Sequence, residues 1–165
     1  MTSLGDDVRE YTEHLRRGAI QRAYRGILAF MSDLRAQLER RYPDYAVSAV
    51  YPGYLDMTYF AFTPPALRDA KLKVAIVYLH AEDRLELWLG ASNRRLQADI
   101  AQRMVGKDLG GYSLVPSGPG VDAIIADIAV GHPDFDSLEQ LRTLIESKAL
   151  AFADDMARLI EQGAG

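Results

Sequence analysis

Between residues 46 and 89 the chain repeats one pattern four times: a short run of β-branched, aromatic and aliphatic residues, then a turn signal. The runs are Ala46 to Tyr51, Leu55 to Phe62, Leu72 to His80 and Leu85 to Leu89. Pro52-Gly53 separates the first two, Pro64-Pro65 interrupts before the third, and Ala81 to Arg84 joins the third to the fourth. Strands connected this closely pair as antiparallel neighbours, since a parallel pair needs a crossover of a dozen or more residues. The pattern predicts a meander. In the third run Val74, Ile76 and Tyr78 alternate with Ala75, Val77 and Leu79, so both faces are apolar and both are expected to be covered.

Helical periodicity brackets the meander. Asp6 or Asp7 can cap a first helix carrying Val8, Tyr11 and Leu15, which Gly18 ends. A longer helix runs from Ile20 through Tyr24, Ile27, Met31 and Leu34 to Leu38 and stops before Pro43. After the fourth strand, Ser92 or Asn93 can cap a helix with Leu96, Ile100 and Met104 on one face. Gly111 to Val115 reads as a short strand. Val121 to Val130 fits both periods, and we read it as a strand. Ser137 with Gln140 forms a capping box that opens a last amphipathic helix through Leu141, Ile145, Phe152, Met156 and Leu159, with a flexible Gly163-Ala164-Gly165 end. The expected fold is α+β: an antiparallel meander sheet of about four to six strands flanked by N-terminal, middle and C-terminal helices. Residues 1–165 are expected to form a single domain.

Composition narrows the function. The 165 residues are 48% hydrophobic and 25% charged, which suits a globular protein with a full core. A net charge of −4 gives no general attraction for a phosphate backbone, so nucleic acid is not an expected partner. The arginine pairs at 16–17, 40–41 and 94–95 read as solvated helix ends. With no cysteine, thiolate metal sites, cysteine nucleophiles and disulfides are excluded. The polar N-terminus is neither a secretory signal nor a membrane span, and a soluble cytoplasmic protein is expected.

The segments YPGYLDMTYFAFTP, LKVAIVYLHAEDRLELWLGASNRRLQ, GVDAIIADIAV and HPDFDSLEQL together resemble the DUF7000 family of small bacterial proteins of unknown function. The resemblance implies no activity, cofactor or catalytic residue. A second likeness, of topology alone, is to the core of the PD-(D/E)xK nucleases. There Asp56 would stand for the first metal-binding acid and Glu86 for the second, but Trp88 stands where that family has its lysine.

The chemistry-bearing residues admit two readings each. Glu86 and Trp88 share one side of their strand, opposite Leu85, Leu87 and Leu89. Either Glu86 anchors a ligand in a pocket walled by Trp88, or Glu86 pairs across the hairpin with Lys73 and Trp88 packs under a helix. Tyr51, Tyr54 and Tyr59 either line a small-molecule pocket or form core or interface, while Asp56 is a ligand group or accepts bonds from its own turn. His14, His80 and His132 lack metal-site spacing, the Ser-Gly-Pro-Gly at 117–120 is a loop and not a phosphate-binding run, and Asp134 belongs to the start of the last helix.

No nucleophile constellation or nucleotide motif stands out. The leading expectation is therefore a binding or interaction protein that takes a small anionic ligand at the strand-to-helix junction between Glu86 and Arg95. Ser92, Asn93, Arg94 and Arg95 would supply donors and charge there, and Trp88 a stacking wall. The alternative is a divalent-metal-dependent hydrolase using Asp56 and Glu86. A homodimer through the hairpin at residues 51 to 62 is also expected.

Overall fold

A computed structural model describes residues 1–116 and 118–163. Ser117, which opens the expected loop at 117–120, lies outside the described residues, as do Ala164 and Gly165 of the expected flexible end. The elements in order are α1 (Leu4–Arg17), α2 (Ala19–Arg41), β1 (Ala46–Val47), β2 (Met57–Thr63), α3 (Pro65–Asp69), β3 (Leu72–Leu79), β4 (Arg84–Ala91), α4 (Arg94–Met104), β5 (Ile125–Gly131) and α5 (Leu138–Gly163). The five strands form one antiparallel sheet in sequence order, β1-β2-β3-β4-β5. No helix among the described residues is long and apolar enough to cross a membrane.

One face of the sheet carries the core. Phe60 and Phe62 of β2, Val74 and Ile76 of β3, and Leu85, Leu87 and Leu89 of β4 are buried against Phe30, Met31, Leu34 and Leu38 of α2 and Ile145, Phe152 and Met156 of α5. Each of these side chains adds roughly 1.5–3 kcal/mol of hydrophobic stabilisation when fully buried. The other face has no helical layer. There the outward residues of β3 are an exposed Lys73, half-buried Ala75 and Leu79 and a buried Val77, so the expectation that both faces of this strand are covered is corrected to one covered face. Val77 is shielded by its neighbours on the same face, because Tyr59 and Glu86 stand opposite it on β2 and β4.

Other boundaries shift for local reasons. The first strand shrinks to two residues, because beyond Val47 the Ser48 hydroxyl takes the Ala61 N–H and the Ser48 carbonyl takes Arg35 Nε. Pro64-Pro65 does more than interrupt: Pro65 occupies the first turn of α3, where its missing N–H is tolerated. The cap of α1 is Ser3, with Asp6 closing the reciprocal bond to the Ser3 N–H, in place of Asp6 or Asp7. Gly111 to Val115 contributes only the Leu114–Ile125 bridge. Among the described residues no Ser137 side-chain bond closes a capping box on α5; the Ser137 N–H donates to the Asp134 carbonyl and Asp134 Oδ1 accepts the Asp136 N–H.

Candidate functional site

The sheet register assembles the site. Tyr59 of β2 stands opposite Val77 of β3, Ala75 opposite Trp88 of β4, and Lys73 opposite Gly90. Strand alternation puts all of them on the face without helices. Small side chains at Ala75 and Gly90 leave a depression between the larger Tyr59, Lys73 and Trp88, and the volume enclosed is about 360 Å³. That lies in the range of small-molecule sites. The far wall is the start of α4, with Ser92, Asn93, Arg94 and Gln97, and the Asp122 loop closes it.

Most of the polar groups at this wall have spare capacity. The Asn93 side chain caps α4 by accepting the Leu96 N–H at 2.8 Å through Oδ1, and its amide N–H groups make no bond among the described residues. Gln97 Nε2 donates to the Val121 carbonyl at 2.8 Å, leaving Oε1 as an acceptor. Among the described residues Lys73 makes no ion pair or side-chain hydrogen bond, and Arg94 has one ionic neighbour, the exposed Asp122 at 3.8 Å. The first turn of α4 contains no acid and two arginines. Cations at that end oppose the helix dipole, an effect of roughly 0.3–1 kcal/mol each. The helix starts at Arg94, as the sequence reading expected from Ser92 or Asn93 as its cap, so the arginine pair stands at the unfavourable end.

Glu86 stands beside the site on the same sheet face and is not one of the residues that line it. Its side chain is 8% exposed. Oε1 accepts the indole N–H of Trp88 at 2.8 Å, and Oε2 accepts Arg84 Nε at 2.5 Å. Both oxygens are committed along one strand, at positions i−2 and i+2, so Glu86 fixes the ring that walls the pocket. Lys73 is not its partner, because the register sets Lys73 against Gly90 and Glu86 against Val77.

The remaining expected residues separate. Arg95 is exposed and lies outside the pocket wall. Tyr54 is 88% exposed on the 52–56 turn. Asp56 accepts the Tyr54 N–H at 2.9 Å, and backbone donors at Tyr54 and Met57 hold its carboxyl below the usual range. Asp56 and Glu86 are not brought together. Glu86 lies two strands from Tyr59, itself three residues beyond Asp56, a backbone separation of roughly 14 Å from strand spacing and rise. A metal shared by two carboxylates needs them in one coordination shell, and no cluster of three or more His, Asp or Glu suited to a metal occurs among the described residues.

Beside the turn lies a polar network that sequence reasoning missed. The buried Thr58 hydroxyl donates to the Pro52 carbonyl at 2.7 Å and lies 2.8 Å from His80 Nε2. Because the carbonyl can only accept, the hydroxyl proton is used there, and His80 must donate through Nε2. Burial pushes the His80 pKa down. Tyr24 OH donates to the Pro52 and Gly53 carbonyls at 3.2 Å each. On the next strand Tyr78 OH donates to Asp83, and burial is the main cause of its raised pKa.

The model of a family described as a domain of unknown function, DUF7000, matches residues 4–160. The chain belongs to the DUF7000 family. No curated protein and no solved structure matches it. DUF7000 membership carries no activity with it, so the argument for function rests on the residues of the site.

Proposed function

We propose that this protein is a cytoplasmic binding protein that takes a small anionic molecule with a planar part in the open-face pocket. The observation that carries the reading is the conjunction around one pocket of Lys73, which has no side-chain partner among the described residues, Arg94 at a helix start without acids, and the Asn93 amide. Anions favour helix N-termini and charge-assisted donors. Tyr59 and Trp88 flank the same depression and suit a ring. Net charge and the absence of cysteine support the location and disfavour nucleic acid.

Inorganic phosphate and benzoate are suitable probes in thermal denaturation. A ligand at 100 times its Kd stabilises by about 2.7 kcal/mol. Lys73→Ala and Arg94→Ala should each remove most of the rise in melting temperature, while Arg95→Ala keeps it. Equal responses from all three variants and the parent would sink the reading.

Self-association is a second reading, favoured by α1. None of its residues is buried, and its contacts of any extent are with α2. Leu4, Val8 and Tyr11 are exposed and Leu15 half-buried along one stripe, a different surface from the hairpin at residues 51 to 62. The stripe is symmetric about the point between Arg9 and Glu10. A two-fold antiparallel pair therefore sets Leu4 on Leu15 of a second copy and Val8 on Tyr11. Since the chain has no cysteine, Leu4→Cys combined with Leu15→Cys should crosslink between copies, and Val8→Glu should give a monomer. Light scattering of the parent near 18.3 kDa at tens of micromolar would overturn it.

A further inference from the structure

A second cavity, of about 490 Å³, lies on the helical side of the molecule, away from the open sheet face. Its walls are Leu96, Ile100 and Met104 of α4, Leu159 and Ile160 of α5, and Leu109 of the connection that follows α4. Ile100 and Met104 are buried and the others half-buried, so the cavity is an opening in the rim of the core. Residues 105–124 form no helix or strand among those described, beyond the Leu114–Ile125 bridge. A connection longer than roughly 12–15 residues without its own secondary structure is uncommon in a compact domain and is usually either functional or a linker. This one contributes Lys107, Asp108 and Leu109 to the mouth.

The charge at the mouth selects the ligand. Arg103 and Lys107 line it, and neither forms an ion pair among the described residues. The one acid among the residues lining the cavity, Asp108, is turned to its own loop and accepts the Gly110 N–H at 2.9 Å. Lys107 Nζ lies 3.7 Å from the place a Cβ on Gly163 would occupy, beside the negative end of the α5 dipole. Arg103 stands in the last turn of α4, the same helix that carries Ile100 and Met104, and its side chain is exposed at the mouth.

We propose that this cavity binds an aliphatic carboxylate, with its chain among the leucines, isoleucines and methionine and its carboxylate on Arg103. An apolar interior with a cation at its mouth matches an amphiphile with one anionic end, and a guanidinium accepts a carboxylate through two parallel hydrogen bonds. The site is separate from the sheet-face pocket and shares no lining residue with it.

Decanoate and 1-decanol are the probes, titrated into the full chain with methyl NMR of isoleucine and methionine as the readout. Decanoate should shift the Ile100, Met104 and Ile160 methyls and bind at least tenfold more tightly than 1-decanol. Arg103→Glu, an exposed substitution that leaves the core intact, should weaken decanoate at least tenfold and leave 1-decanol unchanged. Ile100→Trp should fill the cavity and abolish both; if that variant does not fold, Leu159→Phe at the half-buried wall makes the same test. Equal affinity for acid and alcohol, or shifts confined to other methyls, would overturn the assignment. Phosphate binding at the sheet-face pocket should be unaffected by Arg103→Glu, so the two sites fail or stand separately.

Discussion

The indole N–H of Trp88 donates to Glu86 Oε1 at 2.8 Å across a buried stretch of β4, and Arg84 Nε holds the other oxygen. A carboxylate this enclosed is tolerable because both oxygens are satisfied; without partners its burial would cost several kcal/mol. The ring is thereby held in one orientation over Ala75. Glu86 acts on the pocket through Trp88 and is a positioning residue.

Glu86→Leu should remove that hold. With Trp88 the only tryptophan, its fluorescence reports on this contact alone. The variant should show lower tryptophan anisotropy and, with Arg84 and the indole N–H left unmatched, a loss of about 1–3 kcal/mol in urea denaturation. Glu86→Gln keeps an acceptor for the indole and should restore the anisotropy. Identical spectra for parent and Glu86→Leu would show that packing, not the hydrogen bond, orients the ring.

A second prediction concerns the turn that leads into β2. Gly53 has φ of 75°, and a Cβ there would stand 1.9 Å from the Met57 carbonyl oxygen. Neither the backbone angle nor the space admits a side chain. Gly53→Ala should destabilise by well over about 1 kcal/mol. The turn also anchors Thr58, Tyr24 and the Asp56 carbonyl, which accepts the His80 N–H. The same variant should therefore broaden or shift the His80 resonances. Wild-type stability in this variant would contradict the crowding.

The elements most legible in the sequence were those whose period and turn signals agreed. β3 and β4 followed from the tight turn at 81–84, and β5 emerged as Ile125–Gly131 from a stretch that fitted both periods. Apolar residues on both faces of β3 misled, because Val77 is buried by Tyr59 and Glu86 from adjacent strands and not by a helix. Part of the site was legible: Tyr59 was read from the tyrosine-rich hairpin, and Trp88, Ser92, Asn93 and Arg94 fall within residues 88–94 and meet at one junction. Lys73, Gln97 and Asp122 were missed. Lys73 could have been found by writing out the β3–β4 register, which sets it against Gly90; Asp122 reaches the pocket through a loop whose path no local pattern encodes.

The tie between α2 and α5 gives a third test. Glu146, with a side chain 12% exposed, accepts Arg41 at 2.7 Å and Gln37 Nε2 at 3.3 Å. Arg41 is itself more than half exposed, so solvent screening reduces the worth of the pair. Arg41→Ala should still cost about 1–3 kcal/mol, since it leaves a largely buried carboxylate with one weak partner. Adding Glu146→Leu should recover most of that loss in a double-mutant cycle, because the uncompensated charge is then gone. Additive losses in the cycle would show that the two side chains act independently.

The last prediction is a pH dependence set by His80. Burial disfavours its cation in the folded protein and lowers its pKa from the ordinary 6.5, and the Asp56 charge offsets this only in part. The sign follows from proton counts. As pH falls below about 6.5 the unfolded chain takes up a proton at this residue before the folded one does, so stability declines until the pH passes below the folded value, and then levels. Protonation would also give His80 no new partner at Thr58, whose hydroxyl proton is already committed to Pro52. His80→Gln retains a donor that can reach Thr58 and removes the titration. Between pH 7 and pH 5 the parent should lose more stability than His80→Gln when both are unfolded in urea. If the two curves run parallel across that window, the imidazole does not titrate differently in the folded and unfolded states, and its role at the Pro52 turn is confined to the hydrogen bond.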